Sequence, residues 1–364
     1  MPAVSARGLY KVFGPRPQDA ARRLQQGEPL ARVRADGATP AVVDVDLEVA
    51  PGEISVVMGL SGSGKSTLIR MLNGLLEPTA GSVRVGDTEL TGLAPEDLRR
   101  LRQERLSMVF QHFALLPHRT VLDNAAYALE IRGVDRAERR RRGAEALEMV
   151  GLGDRAGNRP AELSGGMQQR VGLARALASG TDVMLMDEAF SALDPLIRRG
   201  MQDQLLELQR SLGRTIVFIT HDLNEAMRLG DRVAVMREGR VVQSGTPQEI
   251  LRAPADDYVA SFLADVDRAR VLTAADVMEP ATPVDGELSR MPRATAATPL
   301  ADLLQPAATG GGSVAVVEDD GRVVGVVTAP SMLAALSGAQ GRPATATATA
   351  TGGASAVPEE ALRG

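Results

Sequence analysis

Short apolar runs recur along the chain, separated by stretches whose polar and apolar positions follow a helical period. Ile54 to Met58, Leu106 to Phe110, Val183 to Met186 and Thr215 to Thr220 are predominantly apolar segments of strand length. Runs of that kind suit parallel strands buried on both faces. Between them lie helical patterns, and this alternation predicts a doubly wound α/β sheet. Val4 to Val12 reads as a further short strand. Val42 to Val49 alternates apolar and polar residues, as a half-buried strand does. Residues 15–38 are polar, rich in Arg, Gln, Gly and Pro, and read as an insertion between these two strands. The region from Leu122 to Leu177 is helical in pattern and predicts a helical subdomain. Val233 to Met236 and Arg240 to Gln243, joined through Glu238 and Gly239, predict a hairpin.

After Phe262 the chain becomes rich in Ala and Pro. It carries one clear hairpin, Val314 to Val317 and Val323 to Thr328, turning at Asp320 and Gly321. These shifts divide the chain into residues 1–265, a smaller region 266–340, and an Ala/Thr/Gly/Pro tail, 341–364, expected to be disordered.

Composition narrows the class. The 364 residues are 44% hydrophobic and 24% charged, as in globular proteins. A formal net charge of −5 argues against a nucleic-acid backbone as the main partner. Aromatic residues make up only 2%, so broad stacking platforms are not expected. The absence of cysteine excludes disulfides, thiolate metal sites and a cysteine nucleophile, and it fits a reducing compartment. No segment approaches the roughly 18 to 20 apolar residues of a membrane span, and Met1 to Tyr10 lacks a signal-peptide core. A cytoplasmic chain is expected, with any channel supplied by other chains.

Gly59-Leu60-Ser61-Gly62-Ser63-Gly64-Lys65-Ser66-Thr67 matches a phosphate-binding loop, placed between a buried strand and a helix predicted over Lys65 to Leu75. Its glycines let successive N–H groups converge on phosphate oxygens, and the helix start adds partial positive charge. Lys65 would bridge the β- and γ-phosphates, and the Ser66 hydroxyl would ligate Mg²⁺. The strand Val183 to Met186 ends in Asp187 and Glu188. Asp187 is placed to hold Mg²⁺ through water, and Glu188 to polarise the attacking water. His221 follows another buried strand and should reach the γ-phosphate at the same edge. His112 and His118 lack ligand spacing and read as structural. Leu163-Ser164-Gly165-Gly166-Met167-Gln168-Gln169 opens a helix predicted over Gly165 to Ala178 with a hydroxyl and bare glycines, an anion site. The plainer reading of Ser164 is a helix cap, which by itself needs no pair of glycines.

This ordered set resembles the ABC ATPase family over nearly all of residues 1–265. Besides the phosphate loop, it includes Gln111 in Val109-Phe110-Gln111, the signature at Ser164, Asp187 and Glu188, Ser191-Ala192-Leu193-Asp194, and His221. The resemblance implies a parallel-sheet core with antiparallel β and helical subdomains. It also implies ATP and Mg²⁺ as ligands, and a head-to-tail dimer of two copies around ATP. Ser164, Gly165 and Gly166 would complete the partner's site, Asp194 would communicate between sites, and Gln111 would contribute to catalysis and ligate Mg²⁺. Phe13 resembles the aromatic that stacks on adenine; packing is the equal alternative.

Met58 to Thr67, Met186 to Arg198 and the insertion after Leu9 to Gly14 resemble the ATPase subunits of glycine betaine/proline importers, which serve osmoprotectants such as choline-like quaternary amines. Such a subunit works at the cytoplasmic face of the membrane, with transmembrane permease subunits and, indirectly, a substrate-binding protein. A different small polar solute, a non-transport ABC ATPase and a regulatory nucleotide-binding module are the rival readings. Ala274, Asp276, Val277 and Met278 with the hairpin through Gly321 resemble a single degenerate CBS unit, regulatory or merely an interaction module. Arg139 to Arg142 reads as a solvated helix face, with anionic lipid as the alternative contact.

Overall fold

The computed structural model describes residues 1–111, 114–191, 193–280 and 291–337. Its centre is a six-stranded sheet ordered β10-β9-β3-β8-β7-β6. The strands are β3 (Ile54–Met58), β6 (Leu106–Val109), β7 (Val183–Asp187), β8 (Thr215–Thr220), β9 (Arg232–Arg237) and β10 (Arg240–Gly245). All neighbours pair in parallel except β9 and β10, the expected hairpin. The apolar runs sit here because both faces of the sheet are covered. In β3, β7 and β8, alternate residues feed different cores: Val56, Met186 and Phe218 face one, and Val57, Leu185 and Ile219 the other. Each such buried side chain contributes on the order of 1.5–3 kcal/mol.

On one face, the helix Lys65–Leu72 lies between this sheet and a four-stranded antiparallel sheet, β2-β1-β4-β5. That sheet comprises β1 (Val4–Phe13), β2 (Thr39–Val49), β4 (Ala80–Val85) and β5 (Thr88–Glu89). On the other face lie the helix Pro195–Leu212 and the helical subdomain, whose main helices are Arg136–Met149 and Gly165–Ser179. The four arginines of the basic run are spent within the fold. Arg139, Arg140 and Arg141 pair with Glu130, Asp123 and Glu138, and Arg142 donates to the Ala178 carbonyl.

Residues 15–38 are more ordered than their polarity suggests. They form the helices Pro17–Gln25 and Leu30–Ala35, which bury Ala20, Ala21, Leu24 and Val33 against Tyr10, Val12 and Val43. Their apolar positions are few and short in period, so the pattern alone hid a small separate core.

Towards the C-terminus, β11 (Arg293–Thr295), β12 (Ser313–Val317) and β13 (Val323–Thr328) form a three-stranded sheet with the helices Leu300–Thr309 and Ala329–Leu336. One continuous hydrophobic cluster includes Val259 and Leu263 before residue 265, and Leu272, Leu300 and Val314 after it. The expected tail, 341–364, lies outside the described residues.

Leu24→Ala should lower unfolding stability by about 2–4 kcal/mol, the cost of a cavity at a fully buried leucine. Denaturant titration checks this; a change within about 0.5 kcal/mol would mark the insertion as a solvated appendage.

Candidate active site

Three parallel strands end at one edge of the central sheet and deliver the chemistry there. β3 runs into the phosphate loop, whose Gly59, Gly62 and Gly64 have φ of +152°, +79° and +104°. Two of these glycines are also forced by contact. A Cβ at Gly59 would strike the Met236 carbonyl, and one at Gly64 the Ala41 carbonyl. The Gly239 amide donates to the Ser63 carbonyl over 3.0 Å. The loop is thus clamped from behind by β2 and the β9–β10 turn, so its amides can aim outward.

Lys65 is only 4% exposed, and its Nζ donates to the carbonyls of Gly59 (2.8 Å) and Leu60 (3.1 Å). Burial pushes its pKa down, while Glu188 and Asp187 pull it up. Two acceptors leave one ammonium hydrogen for a ligand. The Ser63 hydroxyl is buried with no partner. The helix after the loop starts at Gly64 without a side-chain cap. An orphan hydroxyl, a spare ammonium hydrogen and uncapped amides fit a phosphate chain. Ser61 is exposed, and Thr67 is partly buried in the first helical turn.

β7 ends in Asp187, whose Oδ1 accepts from Ser66 Oγ over 3.0 Å. Burial is the main cause raising the Asp187 pKa, and the Ser66 hydrogen bond opposes it. Glu188 follows in left-handed backbone, φ +45°, fixed by its amide donating to the Ile219 carbonyl of β8. That conformation is strained for a side chain with a Cβ. It brings Glu188 Oε2 to 3.1 Å from His221 Nδ1 and 3.4 Å from Gln111 Nε2. Glu188, His221 and Gln111 therefore meet, as the sequence led us to expect. His118 is exposed and outside this group; His112 lies outside the described residues.

Phe13 ends β1, paired with Thr39, two residues from the Ala41 that abuts Gly64. Its ring is 41% exposed, with Lys11 Nζ 5.3 Å from the centroid. It is not spent on core packing. Ser164 and Asp194 act within the chain as helix caps. Ser164 Oγ accepts from the Met167 amide (3.4 Å), and Asp194 Oδ1 from the amides of Leu196 and Ile197. Ser164, Gly165 and Gly166 make no hydrogen bond to the phosphate loop among the described residues. Gly166 has a reason beyond capping: a Cβ there would lie 2.9 Å from Ile197 Cγ2. The supports Ala41, Met236 and Gly239 were missed in the sequence, because nothing local marks a backbone carbonyl that will back a loop far along the chain.

A family model described as ABC transporter matches residues 42–191. Glycine betaine transport ATP-binding protein OpuAA of Bacillus subtilis is 51% identical over 282 residues, 77% of this chain and 68% of that protein. The glycine betaine/proline betaine transport system ATP-binding protein ProV of Salmonella typhimurium is 49% identical over 339 residues, 93% and 84% of the two chains. The chain belongs to the ABC transporter ATP-binding proteins. The trimethylamine N-oxide transport system ATP-binding protein TmoW of Ruegeria pomeroyi is 54% identical over 273 residues, covering 75% of this chain and 80% of that one. Among solved structures, a dimeric post-hydrolysis ATP-binding cassette bound to ADP and Pi is 32% identical. It covers 67% of this chain and 98% of its own, with a TM-score of 0.57. As an ABC ATPase the chain binds and hydrolyses ATP. No helix among the described residues is long and apolar enough to cross a membrane.

Near the site, Glu225 is buried, and burial raises its pKa against hydrogen bonds from Thr220 and Gln202. A raised carboxyl pKa favours folding below the ordinary carboxylate range, and that contribution is lost as pH rises through the folded value. Glu225→Gln should therefore raise the thermal midpoint at about pH 8, with the gain vanishing towards about pH 4. Melting curves across that range check it; a gain independent of pH would contradict the cause.

Proposed function

We infer that this ABC ATPase subunit drives import of methylated, zwitterionic amines, with glycine betaine or proline betaine foremost. About half of the aligned residues are identical to those of OpuAA and ProV, whose names carry that cargo. TmoW, named for trimethylamine N-oxide, extends the class by the same chemistry: a fully substituted nitrogen beside an anionic oxygen. Selection of the cargo would fall to permease and binding-protein partners. The ATPase would sit against the permease at the cytoplasmic face of the membrane.

For hydrolysis, the observation that carries the reading is Glu188 Oε2, held by His221 and Gln111 beside the phosphate loop. In this reading the loop amides and Lys65 grip the β- and γ-phosphates, and Phe13 stacks on adenine. Glu188 accepts a proton from the attacking water, and His221 orients Glu188 and the γ-phosphate. Ser66, Asp187 and Gln111 offer hard oxygen donors suited to Mg²⁺. No group of three or more His, Cys, Asp or Glu among the described residues holds a metal by itself. A bound Mg²⁺ would neutralise charge on the phosphates. Ser164, Gly165 and Gly166 of a second copy close the site head to tail, and Asp194 lies at that junction. The solved relatives are dimeric cassettes.

Glu188→Gln should lower turnover by at least about 100-fold while stabilising an ATP-bound dimer, read by phosphate release and gel filtration. Wild-type hydrolysis in that variant would remove Glu188 from this role. Lys65→Ala should weaken ATP binding, and unchanged affinity would count against the loop assignment. Uptake of labelled glycine betaine, choline and proline in cells with and without the chain tests the cargo. No difference for any of them overturns it and leaves the ATPase intact.

A further inference from the structure

One guanidinium outside the nucleotide residues joins the two segments that flank the hydrolytic group. Arg198 sits in the first turn of the helix Pro195–Leu212, and its own amide donates to the Asp194 carbonyl over 2.9 Å. Its Nη2 turns back to the carbonyls of Leu193 (3.1 Å) and Ser191 (3.4 Å). Its Nη1 donates to Asp222 Oδ2 over 3.1 Å. The other oxygen of Asp222 accepts from the Glu225 amide, capping the helix Leu223–Leu229, and the Asp222 amide donates to Thr220 Oγ1. Asp222 adjoins His221, whose Nδ1 meets Glu188. Ser191 closes the circuit, since its Oγ and its amide both donate to the Glu188 carbonyl.

Two further features set this arginine apart from a surface ion pair. The pair is half-buried, with side chains 27% and 34% exposed, and the planar guanidinium, with Nη1 on Asp222 and Nη2 on two carbonyls, holds a geometry that a flexible ammonium cannot. In addition, Arg198 Nε is buried without an acceptor. The guanidinium is therefore held by its two Nη groups, one on Asp222 and the other on the carbonyls of Ser191 and Leu193.

We propose that Arg198 is a positioning residue: through Asp222 it locks His221, and hence Glu188, to the backbone around Leu193 and Asp194, so that docking of a second copy sets the hydrolytic geometry. The proposal rests on Glu188 and His221 acting in hydrolysis and on Asp194 lying at the dimer junction. Movement of the Asp194 segment displaces two carbonyls held by one end of the fork. The other end carries that displacement to the residue beside His221. ATP binding to a single copy involves none of these contacts.

The test is steady-state hydrolysis by the full chain with Mg²⁺ and varied ATP, for wild type, Arg198→Met, Arg198→Lys, Asp222→Asn and the double variant Arg198→Met/Asp222→Asn. We expect Arg198→Met and Asp222→Asn each to lower kcat about 10-fold or more, with KM for ATP within about threefold of wild type. The Hill coefficient for ATP should fall towards about one, as coupling between copies is lost. The double variant should be no slower than the slower single, because both substitutions cut the same link. Arg198→Lys keeps the charge without the fork and should remain closer to Arg198→Met than to wild type. Wild-type kcat and Hill coefficient in Arg198→Met, or additive losses in the double variant, would overturn the proposal. Fluorescent ATP-analogue binding without Mg²⁺ reports folding; if Arg198→Met does not fold, the near-isosteric Asp222→Asn decides. Glu188→Gln, run in parallel, separates the two readings. Turnover in that variant would remove the hydrolytic assignment itself, whereas a dead Glu188→Gln beside a wild-type Arg198→Met would remove only the link.

Discussion

Burial of the central sheet on both faces is the constraint from which the rest of the structure follows. With β3, β7 and β8 each sending alternate residues into two separate cores, no polar chemistry can be placed along the strands without stranding it in apolar surroundings. Functional groups are pushed to the ends, where each strand leaves the sheet. Parallel pairing then puts three ends at one edge. The loop after β3, the acids at the end of β7 and the histidine after β8 converge because their strands are in register.

Convergence alone would not hold a phosphate. The loop needs its amides turned outward, and that depends on a backbone pressed against other backbone. The carbonyls of Ala41 and Met236 leave no room for a Cβ at Gly64 and Gly59, and the Gly239 amide holds Ser63. The antiparallel layer and the β9–β10 turn are thus parts of the nucleotide site as much as the loop is. The same layer carries Phe13, exposed at the end of β1. The insertion packs on that end of β1 through Tyr10 and Val12, so a segment that reads as an appendage supports the strand presenting the aromatic.

Glu188 combines a strained backbone with a side chain held by two partners. Its left-handed backbone is held by one hydrogen bond to Ile219 and by Ser191 reaching its carbonyl. The side chain is thereby turned towards His221 rather than along the strand axis. Around it, Arg198 links the segment ending in Asp194 to the turn at Asp222 by charge-assisted hydrogen bonds, beside the apolar packing of Phe190 and Leu193. Such bonds are directional and able to transmit a displacement. The C-terminal sheet joins the same hydrophobic cluster as the helical face, so it is fastened to the side of the molecule that carries these segments.

The sequence by itself determined the strands of the central sheet, because mostly apolar runs bounded by turns have few other solutions, whereas β4, β5 and β11 carry no such run and emerged only in the fold. It also pointed to a phosphate site, because the Gly/Lys/Ser pattern and the acids ending a strand are local arrangements associated with phosphate and metal binding. Gln111, Glu188 and His221 could be named in advance, and their strands put them at one edge. Tertiary structure alone decided what holds them there. Ala41, Met236 and Gly239 act through backbone atoms that every residue possesses, so no residue type announces them. The helices of the insertion gain their stability from Tyr10, Val12 and Val43, which lie outside the segment. Gly166 owes its lack of a side chain partly to Ile197, and Arg198 gains meaning only when Asp222 folds beside it. In each case the deciding contact joins positions distant in the chain, and a local pattern cannot encode a distance that only folding creates.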